Sequence, residues 1–91
     1  MRRKKKKKHL LDILFASEKR KNTLIFLRDG SKDMEQILDF LGTTRTSLLP
    51  QIRILEEHHL VKSINSHYEL TIIGKILVDK FKPFLSLVEL F

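Results

Sequence analysis

Cysteine is absent from the chain, so disulfides and thiolate chemistry are excluded, and a reducing interior fits this composition. Long apolar runs are absent too: nothing approaches the roughly 18 residues that mark a membrane span. The apolar stretch His9-Leu-Leu-Asp-Ile-Leu-Phe-Ala16 follows a basic run, as a secretory signal would. It is too short, is broken by Asp12, and leads into Ser-Glu-Lys-Arg-Lys-Asn with no convincing cleavage site. A cytoplasmic chain with no membrane partner is expected. Catalytic motifs are equally scarce. There is no glycine-rich phosphate loop, no nucleophile elbow and no isolated carboxylate pair. Of the four histidines, His58 and His59 are adjacent and diverge at a helix end, while His9 and His67 have no local partner. That spacing predicts no metal site. Neither a cofactor nor an enzymatic activity is expected.

Net positive charge is abundant but confined. The formal charge of +7 comes from Arg2, Arg3, Lys4, Lys5, Lys6, Lys7 and Lys8. Removing those seven from the eighteen basic residues leaves 18 − 7 = 11, against 11 acidic residues, so the chain from His9 onward is formally neutral. A run of like charge this dense repels itself and should be disordered when free. Residues 1–9 therefore read as a disordered basic arm and residues 10–91 as one domain. Ninety-one residues lie near the lower end of what a single core stabilises, so partner subunits could supply further burial.

Along that domain, residues 10–16 form a short apolar helical segment. Ser17 can cap a second helix that buries Leu24, Ile25 and Leu27 and stops at Gly30, unless the two run together as one bent helix. Asp33 is a good N-cap, and Gln36 three residues later completes a capping-box pattern. Ile37, Leu38 and Leu41 then face the core until Gly42 breaks the segment. Thr44 starts the next helix, in which Leu48, Ile52 and Leu55 make a narrow stripe at spacings of four and three. This helix ends near His58 and His59, with His59 at a position suited to left-handed backbone. Residues 60–64 and 68–71 read as short strands around Asn65-Ser66-His67, with Val61, Tyr68 and Leu70 inward and a further strand residue near Ser31. Thr71 caps a last helix with almost no polar face, which Pro83 should bend or interrupt. Helix, glycine turn, helix and hairpin in this order predict a mainly α fold with a small β-hairpin, a winged helix-turn-helix.

Turning Leu48, Ile52 and Leu55 inward leaves Thr46, Pro50 and Arg53 outward, with Thr44, Arg45 and Ser47 in the first turn. Helices of this kind present that first turn and outer edge to base edges and phosphates of double-stranded DNA. Arg45 suits bidentate pairing with guanine; Thr44, Thr46 and Ser47 reach phosphates or bases; Arg53 suits a phosphate. Pro50 should kink the helix and fix the angle at which the first turn enters the groove. Lys62, Ser63, Asn65, Ser66 and His67 form the wing, suited to flanking backbone or the minor groove. The bland alternative is that these polar residues merely face water and Thr44 is only a cap. If all seven arm charges neutralise phosphates, the arm alone gives a slope of about −6 in log affinity against log salt.

An apolar surface formed by Leu10, Leu11, Leu14, Phe15, Phe81, Phe84, Leu85, Val88 and Phe91 is expected to join two copies in a homodimer. Two-fold symmetry would then pair two recognition helices with a near-palindromic site.

The chain resembles the archaeal winged-helix transcriptional regulators related to the MarR and ArsR types. The resemblance spans about Leu11 to Pro83. It is carried by residues 10–33, by Thr46-Ser-Leu-Leu-Pro-Gln-Ile-Arg-Ile-Leu-Glu-Glu-His-His-Leu-Val61 with its internal proline, and by Tyr68-Glu-Leu-Thr-Ile-Ile-Gly74. It implies a recognition helix at Thr44 to His58, a wing at Lys62 to His67, and dimers built from terminal helices. The lysine arm is not part of the common pattern, and many relatives carry a further C-terminal domain. The rival expectation is a winged helix that docks proteins rather than DNA, which the neutral body would suit.

Overall fold

The computed structural model describes residues 16–80. The basic arm, the segment 10–15, Pro83 and all nine residues of the expected dimer surface lie outside the described residues. Within them, α1 is Glu18–Leu27, β1 Lys32–Asp33, α2 Met34–Leu41, α3 Arg45–Glu57, β2 Val61–Ile64 and β3 His67–Leu70. Residues 72–80 form a further helix, α4.

Each helix starts where a side chain satisfies an otherwise orphaned N–H. Ser17 Oγ accepts from the Arg20 N–H at 3.2 Å. Asp33 and Gln36 form a full capping box: the Gln36 N–H donates to Asp33 Oδ1 at 2.8 Å, and the Asp33 N–H to Gln36 Oε1 at 2.9 Å. Thr44 Oγ1 accepts from the Ser47 N–H at 3.3 Å, and Thr71 Oγ1 from the Gly74 N–H at 3.0 Å. The ends are as specific. Gly42, with φ of 64°, closes α2 through its N–H on the Leu38 carbonyl. At the end of α3, His59 takes φ of 62°. Its N–H donates to the Glu56 carbonyl, and the Leu60 N–H reaches back to Leu55. This paired arrangement is a Schellman motif, completed by the apolar pair Leu55 and Leu60, both fully buried.

Three residues, 42–44, separate α2 from α3, and the wing follows α3 directly. The sheet has the order β1-β3-β2 with both pairings antiparallel. Its third strand pairs Lys32 with Tyr68 and Asp33 with His67, close to the single residue expected near Ser31. The strands are placed one residue differently from expectation: Leu60 precedes β2, and His67 belongs to β3 rather than to the turn. Asn65 and Ser66 alone make the turn, at φ of 49° and 65°, a pair of left-handed values that matches the twist of a two-residue hairpin.

Every helix and both wing strands contribute to one core: Leu24, Leu27, Met34, Ile37, Leu48, Ile52, Leu55, Leu60, Val61, Leu70 and Val78. The α3 stripe is almost wholly removed from solvent. Two expectations need adjusting. Ile25 is only half-buried, because the α1 face that packs inward runs through Thr23, Leu24 and Leu27. Leu38 and Leu41 pack only at the core margin, because α2 turns Met34 and Ile37 inward. The architecture, helices around a small three-stranded antiparallel sheet, is a winged helix.

Candidate nucleic-acid interface

Opposite its buried stripe α3 presents Thr46, Pro50 and Arg53, and at its start stand Thr44, Arg45 and Ser47; all six are exposed. The geometry follows from helical periodicity: Leu48, Ile52 and Leu55 anchor one side, and residues half a turn away must face out. Thr44 uses its oxygen for the cap, leaving its hydroxyl proton for another acceptor. Pro50 is the sixth residue of α3 and lies inside the helix, where it cannot donate to the carbonyl of Thr46.

The wing residues Lys62, Ser63, Asn65, Ser66 and His67 are exposed as well. His67 Nδ1 donates to the Asn65 carbonyl at 3.0 Å, which braces the turn from within and commits that ring nitrogen. Lys62 Nζ lies 3.4 Å from Glu69 Oε2, its cross-strand neighbour in the register.

The tertiary structure joins α3 to the wing. A cleft of about 550 Å³ is lined by Asp33, Met34, Glu35, Arg45, Ser63, Ser66 and Tyr68. Of the residues expected to contact DNA, it brings together Arg45, Ser63 and Ser66; Arg53 and Pro50 lie further along α3, outside it. Across the cleft margin Arg45 Nη2 stands 3.6 Å from Glu35 Oε2. Arg53 makes no ion pair among the described residues. Among the described residues Arg45 and Lys62 are thus each matched by a carboxylate and Arg53 is not.

The sequence reading singles out neither Glu35 nor Glu69, and takes Tyr68 only as an inward strand residue. Glu69 was within reach of pairing arguments, since Lys62 and Glu69 fall opposite each other once the turn is set to two residues. Glu35 carries no such signal: ten positions separate it from Arg45, and only the crossing of α2 and α3 makes them neighbours. On the far side of α3, Arg20 Nη1 donates to Gln51 Oε1 at 2.9 Å and ties the helix to α1.

A family model described as the methanogenesis regulatory protein FilR1, N-terminal domain, matches residues 8–89. The chain belongs to this family. Membership in the FilR1 N-terminal family makes it a regulatory domain, not an enzyme, and a transcriptional regulator. No curated protein matches it in sequence. Among solved structures, the quinone-bound YodB from B. subtilis has a similar fold, with a TM-score of 0.75 and 21% identity. That likeness covers 89% of this chain and 93% of that one. At such identity it speaks to the fold, and it agrees with the winged helix described above. Among the described residues, no helix is long and apolar enough to cross a membrane, and no cluster of three or more His, Asp or Glu residues is arranged to hold a metal ion.

Proposed function

We propose that this FilR1-type domain regulates transcription by binding double-stranded DNA sequence-specifically, in the manner of archaeal MarR- and ArsR-related regulators. In this reading α3 lies in the major groove, with Thr44, Arg45, Thr46 and Ser47 at the base edges and Arg53 on a phosphate. Residues 62–67 lie on the flanking backbone or minor groove. The observation that carries the reading is the division of α3 into a fully buried aliphatic side and a free polar edge that shares a cleft with the wing. A helix held so firmly from behind can enter a groove without losing its own packing.

The neutral body leaves non-specific affinity to the arm, Arg2 to Lys8. Phosphate contacts dominate such affinity and make it salt-dependent. The domain acts as a two-fold dimer through its terminal apolar segments. Ile72, Ile73 and Ile76 support this: they are 76%, 51% and 56% exposed on α4, next to the segment that holds the expected dimer residues.

Selection of bound duplexes from a random pool, with and without residues 1–8, tests the proposal. The expected result is a near-palindromic motif that survives loss of the arm while overall affinity falls. A domain that recovers no motif but still self-associates would be a protein-docking winged helix instead.

A further inference from the structure

The residue facing DNA with the most specific chemistry, Arg45, is not alone. Its side chain is 57% exposed, and its guanidinium sits 3.6 Å from the carboxylate of Glu35, whose side chain is 76% exposed. That separation is beyond hydrogen-bonding distance, so the carboxylate acts on the guanidinium through charge alone and all five donors stay available. Glu35 lies in the first turn of α2, a helix fixed by its capping box and by buried Met34 and Ile37. Its backbone is therefore a rigid mount, whereas the Arg45 side chain is long and free to swing.

Resting on the DNA-binding reading, we infer that Glu35 is a specificity-determining positioning residue: it holds Arg45 over the cleft, directed at a base edge and away from phosphate. Two physical effects act together. An unrestrained arginine at the start of a recognition helix is drawn to the nearest phosphate, which carries full charge where a base edge carries only partial charges. A carboxylate beside it repels that phosphate and narrows the guanidinium's range of positions, so less freedom is lost when it pairs with guanine. The base read by Arg45 is then the guanine of a G·C pair, whose O6 and N7 match the guanidinium fork. Glu35 acts through Arg45 and makes no base contact of its own.

The experiment is motif selection and duplex titration with the full chain as wild type, Glu35→Gln, Arg45→Ala and the double variant. The wild type is expected to select a G·C pair in each half-site, and Arg45→Ala to lose that preference by about 10-fold or more. Glu35→Gln, which keeps size and removes charge, is expected to lower the same preference by about 3- to 10-fold and to raise affinity for random duplex by a few-fold. In the Arg45→Ala background it should change the motif no further. An unchanged motif in Glu35→Gln beside a changed one in Arg45→Ala overturns the positioning role and leaves DNA recognition standing. A motif that still shifts with Glu35→Gln when Arg45 is absent makes Glu35 a direct reader and overturns it too. A wild type that selects no motif removes the DNA-binding reading and this inference together.

Discussion

Gly74 and the carbonyl of Leu60 occupy a space with no room for a methyl group: a Cβ at residue 74 would overlap that oxygen. The same carbonyl accepts the Thr71 N–H at 3.0 Å, and Thr71 Oγ1 donates to the carbonyl of His59. The start of α4 is thereby locked onto the exit of α3, and the wing between them is held at both ends. Gly74→Ala has to push α4 off this seam. It is expected to destabilise the domain by about 1–3 kcal/mol. Urea denaturation would show this as a lower midpoint at an unchanged slope, and wild-type stability would disprove the tight seam.

The wing turn predicts an opposite effect. Ser66 holds φ of 65°, a conformation that costs a non-glycine residue about 1–2 kcal/mol. Asn followed by glycine is the preferred pair for such a turn. Ser66→Gly is expected to raise stability by a few tenths to about 1 kcal/mol after its greater unfolded-state entropy is offset. Thermal unfolding measures it, and a lower midpoint would mean that the Ser66 side chain contributes more than its backbone costs.

Pro50 separates stability from recognition. Inside α3 it forgoes one backbone hydrogen bond, and Pro50→Ala should restore it, adding about 1–3 kcal/mol. If the proline also sets the entry angle of the first turn, the stabilised variant binds its selected site less tightly. Higher stability with unaltered DNA affinity would reduce Pro50 to a tolerated residue.

Arg45→Ala combined with Arg53→Ala should abolish the preference for the selected site while self-association persists. Arg53, free of ion pairs among the described residues, is expected to contribute about one unit of slope in log affinity against log salt. Titrations between low and moderate salt read that slope directly. Retained specific binding in the double variant would rule out the α3 edge as the reading surface.

Much of this fold is legible in the chain because it is encoded locally. Ser17, Asp33 with Gln36, Thr44 and Thr71 are short polar side chains placed where a helix needs its first N–H groups satisfied, and each caps as expected. His59 in left-handed backbone and the stripe of Leu48, Ile52 and Leu55 were readable for the same reason. The misplacements fall where one residue decides the outcome. His67 sits between turn and strand, and the short range of alternation left it free to be read either way until pairing with both Ile64 and Asp33 fixed it in β3. Ile25, Leu38 and Leu41 are less buried than their period suggests, because the inward face of a short helix depends on its neighbours as well as on its period.

The interface divides in the same way. Periodicity put Thr46, Pro50 and Arg53 on the side of α3 away from its buried stripe, and the first-turn position placed Thr44, Arg45 and Ser47 at the exposed end of the same helix. Which charges stand beside them is a different kind of fact. The approach of Glu35 to Arg45, the pairing of Lys62 with Glu69 and the single cleft shared by α2, α3 and the wing depend on how helices cross and strands register. Turn length alone would have placed Lys62 opposite Glu69, but no spacing along the chain encodes the other two, because those partners meet only once the core has closed.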